Sequence, residues 1–389
     1  MVFSLFQRGV LPIGVDLGDS SVKLLQLQHE RGSLRVVDAA REPFSTPLSE
    51  CGDGRREVIA SAVRNAIRAH GFIAARCVAS LPPSDMLMRT MRTAPIPDQE
   101  LDSGCRWEAA QRFELDIEDL EAGWLRAGEV VQGDVVRDEI LLLAGRRACI
   151  TSTLDALHEA GLQPIAVDTP FTAVARCFGR SLRRNSDSET VQMVLDVGAA
   201  TTDVVVIRGN AIAFIKSIPI GGRRLTQAVA DALKLDYRAA EDLRRERMSS
   251  ANGETSSADR RVNRAMFQAV RSYLHDIAEE ASLCLRYYSV TFRGARPQRL
   301  LLVGGDALEP GLVDVMSDVL KIDVQVGRPL DSIDRSSVNF ELERRESPMP
   351  QWAVACGLSL RAFEFAKQRR MERAEATTGS RENGERGAA

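Results

Sequence analysis

Histidine is scarce in this chain: four residues, His29, His70, His158 and His275, in 389. They are too dispersed in sequence to suggest a metal cluster, and each reads as a surface or packed side chain. The seven cysteines are odd in number and show no paired C-x-x-C spacing. That excludes a disulfide framework and a zinc site, and it reads as reduced, buried thiols of a cytoplasmic protein. Neither sign of charge dominates: 51 basic against 54 acidic residues leave a formal net charge of −3. No general polyanion-binding surface follows, and nucleic acid is not an expected partner. No run approaches the roughly 20 apolar residues of a membrane span. The first ten residues carry Phe3, Leu5 and Phe6 with one Arg, too short a stretch for a secretory signal. They read either as a small docking or interfacial element or as a segment packing on the fold. The second reading is preferred, because they offer a bilayer little apolar area. At 389 residues and 44% hydrophobic content there is material for two core-bearing lobes.

What the chain does have is a motif that occurs twice. Gly14-Val15-Asp16-Leu17-Gly18-Asp19-Ser20-Ser21 lies near the start, and Val194-Leu195-Asp196-Val197-Gly198-Ala199-Ala200-Thr201-Thr202-Asp203 near the middle. Each has a short apolar run, an Asp, a Gly two positions on, small or hydroxylated residues, and a second strand-like run (Val22 to Leu27; Val204 to Ile207). The Gly permits a tight reversal and a close backbone approach. Exposed N–H groups of such a turn, with the hydroxyls of Ser20, Ser21, Thr201 and Thr202, can cradle phosphate oxygens. Asp16 and Asp196 would face a magnesium ion, which prefers oxygen ligands and keeps several waters. Lys23 can reach a phosphate as a point charge. One D-x-G alone reads more readily as a tight hairpin with a capping Asp. Two copies in matching strand contexts favour the phosphate reading. A third element, Arg299 to Val303 followed by Gly304-Gly305-Asp306-Ala307, is an apolar strand running into a Gly pair, with a helix-like segment Gly311 to Leu320 after Pro310. That shape suits an adenosine and its α-phosphate, the helix N-terminus favouring negative charge.

The two hairpins and the Gly-Gly strand resemble the actin, Hsp70 and sugar-kinase superfamily. A closer resemblance is to the PilM family of type IV pilus assembly proteins, itself similar to the cell-division protein FtsA. The likeness runs from about Phe6 to Arg361. Its pieces include Leu5-Phe6, Ile13 to Lys23, Ala79-Ser-Leu-Pro-Pro83, Ala160 to Asp168, Ile218-Pro-Ile-Gly-Gly222 with Leu225-Thr226-Gln227, Ala240-Glu-Asp-Leu-Arg244, and Leu302 to Ala307. The fold it implies is α/β: an actin-like (ribonuclease H-like) two-lobe fold with an FtsA-type inserted subdomain, 1C. The first lobe takes residues 1–83 and 165–190, with a closing helix within 345–362. The insertion takes 84–164 and reads β–α–β–β–α: Met86 to Arg92, Asp98 to Arg112, Gly123 to Val131, Val135 to Gly145 and Thr151 to Ala160. The second lobe takes 191–344, including the helices Gly222 to Leu235, Tyr237 to Met248 and Arg261 to Tyr288. Residues 179–190 and 249–257 read as polar connections, and 363–389 as a charged, disordered tail.

The same resemblance implies site roles. Asp16, Gly18, Asp19, Ser20, Ser21 and Lys23 would hold the β- and γ-phosphates of ATP, and Asp196, Gly198, Thr201 and Thr202 phosphate and Mg2+ from the other lobe. Gly221 and Gly222 would allow close approach, Glu241 would bond the ribose, and Gly304, Gly305 and Asp306 would wrap the nucleoside. Two positions depart from the family. Arg244 stands where a Lys is usual beside the adenine, and Asp19 replaces a small residue and adds repulsion toward phosphate unless magnesium screens it. No kinase-like carboxylate base lies between the hairpins, so no catalytic residue is assigned; slow or no ATP turnover is expected. Relatives of this kind bind the N-terminal cytoplasmic peptide of a PilN-like inner-membrane protein in a groove between the first-lobe core and 1C, linking pilus motor ATPases to the membrane platform. Membrane contact is then only indirect, and self-association is a further implied property. Met86 to Thr93, Trp107 and Phe113 are candidates for that groove; the two aromatics read equally as packing within 1C. The alternative is an FtsA-like membrane-tethered filament protein, which should carry a C-terminal amphipathic helix. Arg361 to Ala374, with Phe363, Phe365, Ala366 and Met371 among five basic residues, is a faint version of one. A small-molecule kinase is the third reading.

Overall fold

The computed structural model describes residues 9–180, 190–249, 257–292, 296–336, 338, 340 and 347–364. The readings of residues 1–8 as a docking segment, 181–189 as a loop, 250–256 as a linker and the tail beyond Glu364 lie outside the described residues. The chain opens with β1 (Val10–Leu17), β2 (Ser21–Glu30) and β3 (Ser33–Pro43). All eight residues of β1 are buried, as in a strand covered on both faces. Helix α1 (Arg55–Ala69) follows and lays Ile59, Val63 and Ala66, at helical spacing, on the sheet that β4 (Arg76–Ser80) joins. Next come β5 (Met86–Thr93), α2 (Asp98–Phe113), β6 (Leu120–Gln132), β7 (Val135–Arg146) and α3 (Arg147–Glu159). The strand β8 (Gln163–Asp168) leads to α4 (Pro170–Gly179), whose start is set by Pro170 and by the Thr169 hydroxyl accepting from the Thr172 N–H at 3.1 Å. The second lobe runs β9 (Val191–Val197), β10 (Thr202–Arg208), β11 (Ala211–Ile218), α5 (Gly222–Leu233), α6 (Tyr237–Ser249), the 36-residue α7 (Ser257–Phe292), β12 (Arg299–Val303), α8 (Leu312–Leu320) and β13 (Asp323–Val326). Last are β14 (Ile333–Asp334) and α9 (Ala353–Leu360).

The two main sheets repeat one plan. The first has the order β14-β3-β2-β1-β4-β8 and the second β11-β10-β9-β12-β13. In each, three antiparallel strands precede two parallel ones, and the D-x-G turn joins the first two strands of the set. Both Asp residues therefore stand at the same end of equivalent strands, next to a parallel neighbour, where α/β sheets place their ligands. The small strand β14 lies within the stretch assigned to the second lobe, yet pairs Ile333 with Leu34 on the edge of the first sheet.

Helix α9 is buried at every residue. It packs against β1, β2 and α4 so closely that side chains are excluded at two points. A Cβ on Gly14 would sit 2.0 Å from the Ala355 carbonyl oxygen, and one on Gly357 1.8 Å from that of Ala173. The β1–β2 register is irregular between Val10 and Ile13. The Ser359 hydroxyl meets that irregularity, donating to the Pro12 carbonyl at 2.8 Å and accepting from the Leu27 N–H at 3.3 Å. Such pairing keeps buried backbone polar groups satisfied.

The inserted three-stranded sheet, order β5-β7-β6, touches both lobes. On the first-lobe side α3 presents Asp155 and Glu159 to Arg56 of α1. On the second-lobe side the Tyr287 hydroxyl of α7 donates to Glu139 Oε1 at 3.1 Å, and Phe292 lies against Gly128. Glu139 is itself 1% exposed and also accepts from Arg92 of β5, so one buried carboxylate joins the inserted sheet to the second lobe.

Candidate functional site

The two D-x-G turns close with the same hydrogen bond: Gly18 N–H to the Ser21 carbonyl at 3.1 Å, and Gly198 N–H to the Thr201 carbonyl at 2.9 Å. Directly across the ladder from Asp16 stands Lys23, and across from Asp196 stands Asp203. The same position thus carries opposite charges in the two lobes. Lys23 Nζ meets Asp16 Oδ2 at 2.9 Å, both side chains buried. Asp203 instead faces a like charge, an unfavourable cross-strand pair. Burial, then Asp203 and Asp16, push the Asp196 carboxyl up to about 7, with Lys23 pulling it back. Burial pushes Asp203 up to about 6, against hydrogen bonds from the Ser217 and Thr201 hydroxyls. Arg223, whose N–H donates to the Ala199 carbonyl of the second turn, reaches Asp19 of the first with its guanidinium, so the two turns face one another.

Those oxygens are the donor chemistry of a hard divalent cation. Among the described residues no group of three or more Asp, Glu, His or Cys side chains is arranged to hold a metal by itself. The residues therefore fit an ion completed by water and phosphate, as Mg2+ is in nucleotide sites, and do not fit an all-protein cage. Asp16 and Asp196 would face that ion, which would neutralise phosphate charge.

The other candidate residues gather on the second turn. Gly222 N–H donates to the Gly198 carbonyl and Arg223 N–H to the Ala199 carbonyl, each at 2.9 Å, so the start of α5 is seated on the turn. A Cβ on Gly221 would meet both carbonyl oxygens at 2.6 Å, and one on Gly222 would meet the Asp306 carboxylate at 2.2 Å. Gly304, at φ +97°, leaves no room for a Cβ, which would lie 2.3 Å from Asp196 Oδ1. Gly305 faces open space. Thr202 donates to the Ile220 carbonyl at 2.7 Å and Thr201 to Asp203, so both hydroxyls already have acceptors within the protein.

Arg244 lies at the centre of a buried network. Its guanidinium donates to Asp306 Oδ1 at 2.9 Å, to Glu309 Oε2 at 2.7 and 3.2 Å, to the Gly222 carbonyl at 2.9 Å and to Thr226 Oγ1 at 2.7 Å. It therefore ties α6, α5 and the turn after β12 together. Glu241 stands apart from this set and pairs with Arg245 one turn along α6. Asp19 has partners of its own. Its Oδ1 accepts from Ser49 N–H at 2.9 Å, and its Oδ2 from Arg223 Nη1 of the opposite lobe at 3.0 Å. Ser20 and Asp19 also offer their carbonyls to Phe44 and Leu48 N–H, and Ser21 is buried in β2.

Sequence reasoning did not single out Asp203, Arg223 or Glu309. Asp203 had a readable signal, since it follows Asp196 by the same seven positions that separate Lys23 from Asp16. Arg223 adjoins the Gly pair but acts across 204 residues, and Glu309 has no local signature.

An open concavity of about 720 Å³ lies away from the two turns, on the inserted unit. Residues 104–119 alone line it, with Trp107, Leu115 and Ile117 in an acidic setting of Glu108, Glu114, Asp116 and Asp119. It is thus not in the seam between that unit and the first-lobe core. Trp107 is 69% exposed, whereas Phe113 packs with Ala109, Ala110 and Leu120. The two aromatics that read alike in sequence have different roles.

Among solved structures the fold is similar to a PilM-PilN type IV pilus biogenesis complex (TM-score 0.73, 22% identity, 91% of this chain and 98% of that one). It is also similar to the ethanolamine utilization protein EutJ from Carboxydothermus hydrogenoformans (TM-score 0.52, 16% identity, 90% and 89% covered). At these identities the likeness shows the actin-like, two-lobe fold. Among curated proteins the chain is similar to the cell division protein FtsA of Streptococcus pneumoniae, 23% identical over 349 residues, 81% of this chain and 75% of that one. FtsA of Bacillus subtilis is 20% identical over 213 residues, 51% and 45% of the two chains. The model of the family described as type IV pilus assembly protein PilM matches residues 14–363, both turns and the inserted sheet included, and the chain belongs to that family.

Proposed function

We propose that the chain is an ATP-binding scaffold of a type IV pilus or related secretion assembly platform, cytoplasmic and peripheral to the inner membrane through a partner. Family membership supports the assembly role. The facing turns with their carboxylates and Lys23 support a Mg2+–nucleotide cleft between the lobes. In this reading Gly18, Lys23, Gly198 and Gly305 meet the nucleotide through backbone and point charge, and Glu241 meets the ribose. In this reading the nucleotide orders a surface more than it feeds a reaction.

The partner is the N-terminal cytoplasmic peptide of a PilN-like membrane protein. The observation that carries docking on the inserted unit is Trp107, left 69% exposed beside a concavity lined by Leu115, Ile117 and four carboxylates. Exposed aromatics in such settings act as binding anchors, and the rim favours a peptide with basic and apolar side chains. The test is a titration with a synthetic peptide copying the N-terminus of the PilN-like protein, with and without Mg-ATP. Binding is expected, and its absence in both conditions refutes the scaffold reading. Among the described residues no helix is long and apolar enough to cross a membrane. The FtsA-like alternative is tested by liposome flotation: strong binding without any partner would favour it.

A further inference from the structure

Arg223 is the residue that spans the cleft. Its backbone N–H is anchored on the second turn, at the Ala199 carbonyl, and its guanidinium reaches the first turn, at Asp19 Oδ2. Two more first-lobe groups complete its coordination: Ser49 Oγ at 2.9 Å and the Glu50 carboxylate. The cluster is graded from inside to outside. The Asp19 side chain is 5% exposed, that of Arg223 32% and that of Glu50 53%. The inner carboxylate is thus desolvated and the guanidinium is within reach of an entering solute. Asp19 also belongs to the turn whose N–H groups suit phosphate, so a carboxylate and a phosphate would compete for one cation.

We propose that Asp19 and Arg223 form a latch that holds the lobes together without nucleotide, and that a polyphosphate takes Arg223 over from Asp19. A guanidinium pairs with carboxylate and with phosphate oxygens, so the exchange replaces the single Nη1 contact to Asp19 with one to phosphate. Arg223 is then a phosphate-reading residue kept in reserve, and Asp19 is its resting counter-ion. The Asp that looked like a defect in a phosphate turn becomes a competitor that sets the nucleotide concentration needed to occupy the cleft. The exchange rests on the reading of the cleft as a nucleotide site; the latch does not.

The test is a double-mutant cycle on the full chain: wild type, Asp19→Asn, Arg223→Gln and both together, each titrated with Mg-ATP by calorimetry. Asp19→Asn should tighten binding by about tenfold where Arg223 is present and by less than about twofold where it is Gln. An equal gain in both backgrounds overturns the exchange, since Asp19 would then merely repel phosphate. Nucleotide-free protein carrying spin labels at the exposed Ile73 and Asp318, one on each lobe, gives the second readout. Arg223→Gln should lengthen or broaden the inter-label distance, and an unchanged distribution overturns the latch. If none of the four proteins binds Mg-ATP, the nucleotide reading and the exchange fall, while the distance measurement still decides the latch.

Discussion

Replacing Arg244 by Met is expected to destabilise the second lobe strongly, and in a pH-dependent way. The Arg244 and Glu309 side chains are each only 3% exposed, and Asp306 shares the same guanidinium. Removing one partner of a buried ion pair costs about 3–5 kcal/mol, because it strands the opposite charge. At about 2–4 °C per kcal/mol for a lobe of this size, the melting temperature should fall by roughly 6–20 °C. Burial already holds the Glu309 carboxyl above its ordinary 4.5, with Arg244 pulling it down. Without Arg244 that opposition is gone and the folded-state value rises further. A carboxyl raised in the folded state favours folding below the unfolded value of about 4.5 and loses that contribution as pH rises through the folded value. The gap between variant and wild type should therefore widen from pH 5 to pH 8, and adding Glu309→Gln should recover part of the loss. The assay is thermal unfolding in nucleotide-free buffer with a chelator, since ligand binding would mask the effect. A loss under about 1 kcal/mol, or one equal at both pH values, would refute the claim that this network is a desolvated ion cluster.

Three further outcomes are expected. Asp16→Ala and Asp196→Ala should each weaken Mg2+-dependent ATP binding in calorimetry, and unchanged affinity would show that the metal position is wrong. Asp196 and Asp203 are raised to about 7 and about 6, so metal-free stability should fall as pH rises from about 4 through 7; Asp203→Asn should flatten that slope in thermal melts, and an unaltered slope refutes the coupling. Trp107→Ala should weaken capture of the PilN-like peptide by at least tenfold while leaving the melting temperature within about 1 °C, because the side chain is 69% exposed; a large loss of stability would return Trp107 to a packing role.

Much of the first turn was legible because its elements are local. An apolar strand, an Asp, a Gly and a Lys seven residues on lie within one hairpin, and their register follows from the turn. The strand β11 was not read as such, and the two-residue β14 has no signal of its own. Helix ends drifted: α7 begins at Ser257 and ends at Phe292, beyond the Arg261 to Tyr288 stretch whose apolar period is visible. The rest of the site is tertiary. That Asp19 has a counter-ion depends on Arg223 arriving from the other lobe, and no spacing in sequence announces it. Trp107 and Phe113 differ only in which side of α2 the sheet covers.

The dispersal of the two cores along the chain bears on how the molecule is made. The second-lobe cluster draws only on residues from Val191 to Val324, a contiguous stretch. A second large cluster joins Leu11, Leu25 and Leu27 of the first sheet to Val194, Val205, Ile215 and Val303 of the second, and to Ile333, Trp352, Ala355 and Leu358. During synthesis the strands of the first sheet leave the ribosome early, yet helix α9, which fills their inner face, is translated after everything else in that core. The cluster of β1 with α1 has its parts by Leu162 and the second-lobe cluster by Val324, so the core between the lobes is completed last. Until Leu360 and Ala362 are in place, one side of β1 is packed while the side that α9 covers stays open, and the two sheets lack the core they share.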